Sequence, residues 1–160
     1  TELAITVAKA LDGEIVNADS MQVYRDLRLL TARPSEEEEA EVPHHLFGHV
    51  DAAERYSTGK WLADARSVLA DIQRRGKVAI FVGGTGLYFL SMLQGLSEIP
   101  PVPEEIRAEA RNLLQTLGAE GLHRRLADVD PVTAGRLAPN DRQRVQRAYE
   151  VWLADRKSVV

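Results

Sequence analysis

Three short polar runs carry the side chains best suited to chemistry. The first is Asp19-Ser20-Met21-Gln22. A carboxylate at the end of a strand can accept a proton or orient an amine. Gln22 brings a donor and an acceptor together, which suits a purine edge. The same run also fits an Asx turn followed by a solvated glutamine. The second is Gly83-Gly84-Thr85-Gly86. Glycines let a backbone come close to a ligand, and a following helix start favours anions. A plain strand-to-helix turn with a structural threonine would read the same way. The third is Gln143-Arg144-Val145-Gln146-Arg147. On a helix, Gln143, Arg144 and Arg147 fall near one another and make a short cationic face for phosphates or base edges. A solvated helix face is the alternative.

Two weaker signals complete the inventory. His44, His45 and His49 lie near Asp51. Adjacent histidines on a strand point to opposite sides and chelate poorly, so zinc is not expected there. His123 reads as an ordinary helix residue. Thr1 opens a helix that leads into a strand, the place held by the last residue of a phosphate-binding loop. Without the glycines of such a loop, Thr1 carries little information alone.

These runs need elements to hold them. Leu3, Val7 and Leu11, with Ala4 and Ala8, predict a helix over Thr1–Leu11 whose apolar stripe repeats every four residues. Asp12-Gly13 turns the chain, and Glu14–Ala18 predicts a short strand ending at Asp19. Arg33-Pro34-Ser35 reads as an exposed loop entering an acidic helix start, and His45–Val50 as another short strand. Ser57 is the expected N-cap of a helix carrying Trp61, Leu62, Ala65, Val68, Leu69 and Ile72. Arg74 and Arg75 suit its negative end and Gly76 its C-cap. Lys77–Val82 is a near-continuous apolar run, as in a parallel strand covered on both faces. A further helix starts at Leu87.

Alternating helices and strands predict a doubly wound α/β core, which binds ligands at the carboxyl ends of its strands. Both polar runs of this half sit at such ends. The stiff segment Ile99–Pro103 then gives way to an all-helical pattern: Glu104–Leu117 ending at Gly118, Ala119–Ala127, a short Pro131–Leu137, and a helix from Asp141 to Leu153 capped by Asn140 or Asp141. The expected division is an α/β core over residues 1–99 and a helical subdomain over 100–160.

Bulk properties narrow the classes. The 160 residues are 44% apolar and 28% charged, as in ordinary globular proteins. Cysteine is absent, which removes disulfides, thiolate metal sites and a cysteine nucleophile. No apolar run approaches the roughly 20 residues of a membrane span. The net charge of −4 argues against phosphate neutralisation. It is unevenly spread: Thr1–Val102 has 10 basic and 15 acidic residues, and Pro103–Val160 has 10 and 9.

Taken together, the motifs resemble one family. Gly13–Tyr24 resembles the DSxQxY signature of tRNA dimethylallyltransferases. Val42-Pro43-His44-His45-Leu46, then Phe81–Tyr88 around the glycines, then Asn140–Arg144 follow in that family's order and at about its spacing. The resemblance runs to about Leu153.

It implies a P-loop NTPase-like parallel-sheet core with a small all-helical insertion that helps clasp the anticodon stem-loop of tRNA. It implies transfer of a dimethylallyl group from dimethylallyl diphosphate to N6 of the adenosine 3′ of the anticodon, with Mg²⁺. Asp19 would be the general base. Thr85 would touch the tRNA beside the reacting base, and Ser20, Met21 and Gln22 the target nucleotide or its neighbours. Gln143, Arg144, Val145, Gln146 and Arg147 would form a tRNA-contact run. Thr1 would match the last Thr or Ser of the diphosphate-binding loop and ligate Mg²⁺ or phosphate. A monomer acting in the cytoplasm, away from membranes, is expected. The family's GxTxSGK segment should precede Thr1, and its C-terminal half should follow; the expectation is a fragment of a longer enzyme, unable by itself to transfer a prenyl group. An adenylate prenyltransferase making free cytokinin, a P-loop small-molecule kinase and an inactive RNA-binding remnant are the competing readings. The helical arginine run speaks against the first, and Asp19–Tyr24 against the second.

Overall fold

A computed structural model describes residues 2–96 and 102–157, without the side chains of 156 and 157. Two compact units result, Thr1–Leu96 and Ser97–Val160.

In the first unit, α1 (Glu2–Leu11) leads through a turn into β1 (Gly13–Asn17). A 3₁₀ turn (Arg25–Leu27), α2 (Glu36–Glu41) and β2 (His44–His45) follow, then α3 (Thr58–Arg74), β3 (Val78–Val82) and α4 (Gly86–Gln94). The three strands are parallel in the order β2-β1-β3, with Ile15 opposite His44 and Ile80. This is the α/β core that alternation predicts.

Several local signals act as read. Ser35 caps α2 in a capping box with Glu38, and Ser57 caps α3 by accepting from the Lys60 amide. Gly76 follows α3 with a φ of 71°, the left-handed conformation that glycine takes at least cost.

Other expectations need correction. The buried face of α1 is Ala4, Ile5 and Ala8, while Leu3 is 77% and Leu11 53% exposed. Two alanines let α1 lie close against the sheet, so the small residues, not the leucine stripe, set its orientation. The Lys77–Val82 run is not the enclosed strand. β3 flanks one side of β1 in this sheet and its residues are partly exposed, whereas all five residues of β1 are buried between two neighbours. The strand expected over His45–Val50 is only the pair His44–His45, because the chain turns at Leu46, whose φ is 63°.

Burying all of β1 encloses Glu14, a cost the sequence pattern does not reveal. The carboxylate is satisfied from two sides. Arg75, just past α3, grips both oxygens, and His45 Nε2 donates to Oε2 at 2.6 Å. The guanidinium beside it holds the Glu14 carboxyl well down, to about 2, against the opposing effect of burial. This triad links β1, β2 and the end of α3. Trp61 closes the other side of the core: it is fully buried, stacks on Tyr88 at 4.2 Å and meets Phe81 edge-on at 6.3 Å.

The second unit is helical: α5 (Glu104–Val129), α6 (Pro131–Ala134) and α7 (Arg142–Lys157). Gly118 has φ 69° and ψ 178°, so α5 is two helices joined at a kink where the sequence places a helix end. Asp130 caps α6, and Asp141 accepts from the Arg144 amide at the start of α7. His123 Nε2–H is shared between the carbonyls of Ala134 and Leu137, at 3.0 and 3.1 Å, and so ties α6 to α5. The core joins Leu114, Leu122 and Leu126 with Val145, Tyr149 and Leu153.

Glu14 supplies an acid-stability test. Its native pKa lies below the unfolded value of 4.5, so its contribution is fully present above about pH 4.5 and is lost as pH falls towards about 2. Glu14→Gln should therefore melt lower than wild type at pH 6, with the two curves converging near pH 2. Parallel melting curves across that window would show that Glu14 does not carry the effect.

Candidate active site

β1 and β3 end side by side, and their two following loops are joined. The Ala18 amide donates to the Val82 carbonyl at 2.8 Å, and the Thr85 amide to the Ala18 carbonyl at 3.1 Å. Gly83 makes this approach possible. A Cβ there would lie 2.2 Å from the Ala18 carbonyl carbon and 2.5 Å from the Asp19 amide nitrogen. Thr85 then locks the pair: its Oγ1 accepts from the Ser20 amide at 2.9 Å and donates to Ser20 Oγ at 3.2 Å. The Ser20 hydroxyl hydrogen and one Thr85 lone pair remain for a ligand.

Asp19 reconciles the two readings of its run. Oδ1 accepts from the amides of Met21 at 2.8 Å and Gln22 at 3.3 Å, which is an Asx turn. That turn fixes the carboxylate and leaves Oδ2 on the Gly84 side. The loop alternative is thus the means by which one oxygen is held and the other presented.

Asn17 holds the base of the arrangement, and sequence reasoning missed it. Its fully buried side chain donates to the carbonyls of Asp19 at 2.9 Å and Leu46 at 3.0 Å. Its Oδ1 accepts from the Asp19 amide at 2.9 Å, and its own carbonyl accepts from the Trp61 indole at 2.8 Å. A buried asparagine at the last position of a strand was the available signal, but one polar residue in an apolar segment does not announce its partners.

These loops border a cavity of about 220 Å³. Asp19, Gln22, His44, Gly83 and Gly84 supply its polar wall, and Ile15, Phe47 and Val82 part of its apolar wall. Gln22 is less free than its residue type implies: its amide nitrogen donates to the carbonyls of Thr31 at 2.9 Å and Ala32 at 3.4 Å. It anchors the loop that follows Tyr24, and only its oxygen is left to read a ligand. Met21 is 51% exposed beside it. His44 donates from Nδ1 to the Val42 carbonyl at 2.8 Å, and its Nε2 is buried without a hydrogen-bond partner among the described residues. Among the described residues no group of three His, Asp or Glu side chains is placed to hold a metal ion. Thr1, the expected phosphate and metal residue, lies outside the described residues.

The cationic run of α7 divides in three. Gln143 and Arg144 are exposed, and among the described residues the side chain of Arg144 pairs only with Asp141, at 3.5 Å, a solvent-screened pair. Gln146 and Arg147 both donate to the buried Glu150, at 2.8 and 3.2 Å. Val145 is fully buried in the helical core, so its place in the contact run is corrected: it faces Leu122 and Leu126 across the unit, away from solvent. Gln143 and Gln146 are three apart, and the latter turns inward because Glu150 needs donors.

The family model described as IPP transferase matches residues 22–160. This chain belongs to the IPP transferase family. It is 63% identical over 152 residues to a tRNA dimethylallyltransferase of Hyphomonas neptunium, covering 95% of this chain and 48% of that protein. To the tRNA dimethylallyltransferase of Phenylobacterium zucineum it is 54% identical, covering 95% and 50%. The chain thus spans about half the length of the curated relatives it matches. Among solved structures, a eukaryotic dimethylallyltransferase acting on tRNA superposes with a TM-score of 0.79 at 32% identity, covering 94% of this chain and 38% of that one. The full-length tRNA isopentenylpyrophosphate transferase of Bacillus halodurans gives 0.57 at 35% identity, covering 94% and 50%. The fold of these IPP transferases is the P-loop NTPase-like α/β fold that the motifs imply.

The role of Asn17 is open to direct measurement. Asn17→Ala strips partners from the Asp19 amide and from two carbonyls. Unsatisfied groups cost about 1–3 kcal/mol each, partly recovered by water, so a loss of roughly 2–4 kcal/mol in urea unfolding is expected. A loss under about 1 kcal/mol would show that the network does not hold the loops.

Proposed function

We propose that this chain carries the nucleophile-activating part of a tRNA dimethylallyltransferase. The observation that supports it best is Asp19: one oxygen is fixed by two backbone amides, the other stays open, and both stand at a strand end on a cavity. Such a carboxylate accepts a proton without moving.

In the proposed reaction the N6 nitrogen of the adenosine 3′ of the anticodon attacks C1 of dimethylallyl diphosphate. The N–C bond forms and the C–O bond to diphosphate breaks, with diphosphate leaving on the bonding pair. The N6 proton passes to Asp19 Oδ2 and then to solvent. The N6 lone pair is delocalised into the ring, so removing the proton as the bond forms raises its nucleophilicity. The adenine must leave its stack to reach the cavity. The Gln22 oxygen lies in the same cavity wall as Asp19 to orient the base, and the Ser20 and Thr85 hydroxyls, bonded to each other beside Asp19, would meet its neighbours. In this reading Thr1, which lies outside the described residues, would ligate Mg²⁺ or a phosphate oxygen, and the ion would offset the charge that develops on the leaving diphosphate.

For the helical unit we infer that Gln143 and Arg144 meet the tRNA, while Gln146 and Arg147 act by holding Glu150. Arg144, whose partner Asp141 is itself partly exposed, can exchange it for a phosphate, and Arg147, bonded to the buried Glu150, is bound more firmly to its own helix. The names of the relatives support tRNA over free adenylate as the acceptor. No helix among the described residues is long and apolar enough to cross a membrane. We infer further that the protein acts on tRNA in the cytoplasm, as a monomer.

Two measurements on the full gene product test these roles. Asp19→Asn should lower prenyl transfer by more than about a hundredfold with tRNA affinity within about twofold of wild type. Transfer within about tenfold of wild type would remove Asp19 as the base. Arg144→Ala should weaken tRNA binding and reduce the slope of log affinity against log salt by about one phosphate contact. Arg147→Ala should instead lower the melting temperature through Glu150. An unchanged salt slope in Arg144→Ala would take that residue off the interface.

A further inference from the structure

Gly83 and Gly84 are neighbours on the cavity wall, yet they are glycine for different reasons. At Gly83 the backbone of Ala18 and Asp19 leaves no room for a Cβ. At Gly84 nothing of that kind applies. Its φ is not in the left-handed region that favours glycine. Among the described residues, a Cβ built there meets one atom within 4 Å, Asp19 Oδ2 at 3.5 Å, which is an ordinary contact. Neither backbone conformation nor packing calls for glycine at this position. What a side chain would change is access to Oδ2.

We propose that Gly84 is a specificity-determining residue of the transfer reaction, whose missing side chain is the gap through which the acceptor amine reaches Asp19 Oδ2. The inference rests on the reading of Asp19 as the base. A nitrogen giving up a proton to Oδ2 must come within about 2.6–3.2 Å of it. A methyl group at 3.5 Å with its hydrogens fills the side of the oxygen that faces the 83–86 loop. Oδ1 cannot take over, because the Met21 and Gln22 amides hold it. An aromatic amine brings a whole purine ring with it, so the approach is more demanding than for a small nucleophile. Larger side chains at Gly84 close the gap in proportion to their size.

The experiment uses Gly84→Ala and Gly84→Val in the full gene product, alone and combined with Asp19→Asn. Both should melt within a few degrees of wild type, in contrast to Gly83→Ala, which should melt far lower. The kcat/KM for tRNA should fall about tenfold for alanine and about a hundredfold for valine, with the KM for dimethylallyl diphosphate within about twofold of wild type. In the Asp19→Asn background, Gly84→Ala should cost little further, since the group it shields is already gone. A folded Gly84→Val that transfers at the wild-type rate overturns the proposal and leaves the Asp19 reading intact. So does a Gly84→Ala loss that is undiminished when Asp19 is Asn. Normal transfer by Asp19→Asn alone overturns the Asp19 reading, and the proposal with it.

Discussion

The first unit depends on one buried amide. Asn17 ends the central strand at the point where the backbone leaves the sheet ladder and its polar groups need new partners. Its side chain binds the amide and carbonyl of Asp19 and the carbonyl of Leu46, so one residue sets where both the β1 and β2 loops begin. Leu46 sits at φ 63°, a conformation that costs a bulky residue about 1–3 kcal/mol and persists only where its surroundings over-determine it. Asn17 is part of that surrounding. Trp61 adds a second constraint by bonding the Asn17 carbonyl from α3 while stacking on Tyr88 of α4. The helices on this side of the sheet are thereby referenced to the residue that aims Asp19.

Two loops meet on this base, and each supplies what the other lacks. The first has the carboxylate but only its own amides to fix one oxygen. The second has the glycines that permit contact and the threonine hydroxyl that fastens Ser20. Neither loop alone gives a defined site. In the proposed reaction rigid placement matters because proton transfer needs the carboxylate oxygen within hydrogen-bond reach of the reacting nitrogen, and about an ångström of slack costs rate steeply. The Glu14–Arg75–His45 group does similar work deeper in the sheet, fixing the end of α3 against β1 and β2.

Much of this was legible in the residues, and the failures have common causes. Local signals with a local mechanism were read well: the caps at Ser35 and Ser57, the breaks at Gly76 and Gly118, the strand before Gly83. So was the placing of Asp19–Gln22 and Gly83–Gly86 at the ends of two strands, because an α/β alternation brings such ends together. What was not legible depends on contacts far apart in sequence. Glu14 is tolerable in a buried strand only because of Arg75, 61 residues away. Asn17 has its meaning from Leu46 and Trp61. The face of α1 was misassigned because the leucine spacing says which residues share a side, not which side can approach the sheet most closely. The Gln143–Arg147 run was read as one face although Val145 necessarily points elsewhere at helical spacing, and Glu150, which claims two of the other four, follows outside the motif.

That last division bears on how an acidic chain can meet a polyanion. The net charge of −4 belongs to the whole chain, but recognition is decided within a Debye length of about 8 Å. Many of the acids of the first unit are spent on internal work. Glu14 serves Arg75, Glu39 lies beside Arg28, Asp71 holds Arg74 and Arg75, and Glu41 meets Lys9. On α7, Glu150 draws Arg147 and Gln146 onto its own helix and leaves Arg144, three residues earlier, with only a screened partner. An exposed cation loosely paired to Asp141 can exchange that partner for a phosphate at little cost, since a surface ion pair is worth about 1 kcal/mol or less. A cation held by a buried carboxylate exchanges it at greater cost, because the carboxylate would be left without that partner. In the proposed reading the helix therefore separates the arginine that braces Glu150 from the arginine offered to tRNA, and Glu150 and Asp141, two of the acids that make the chain negative overall, enforce that separation.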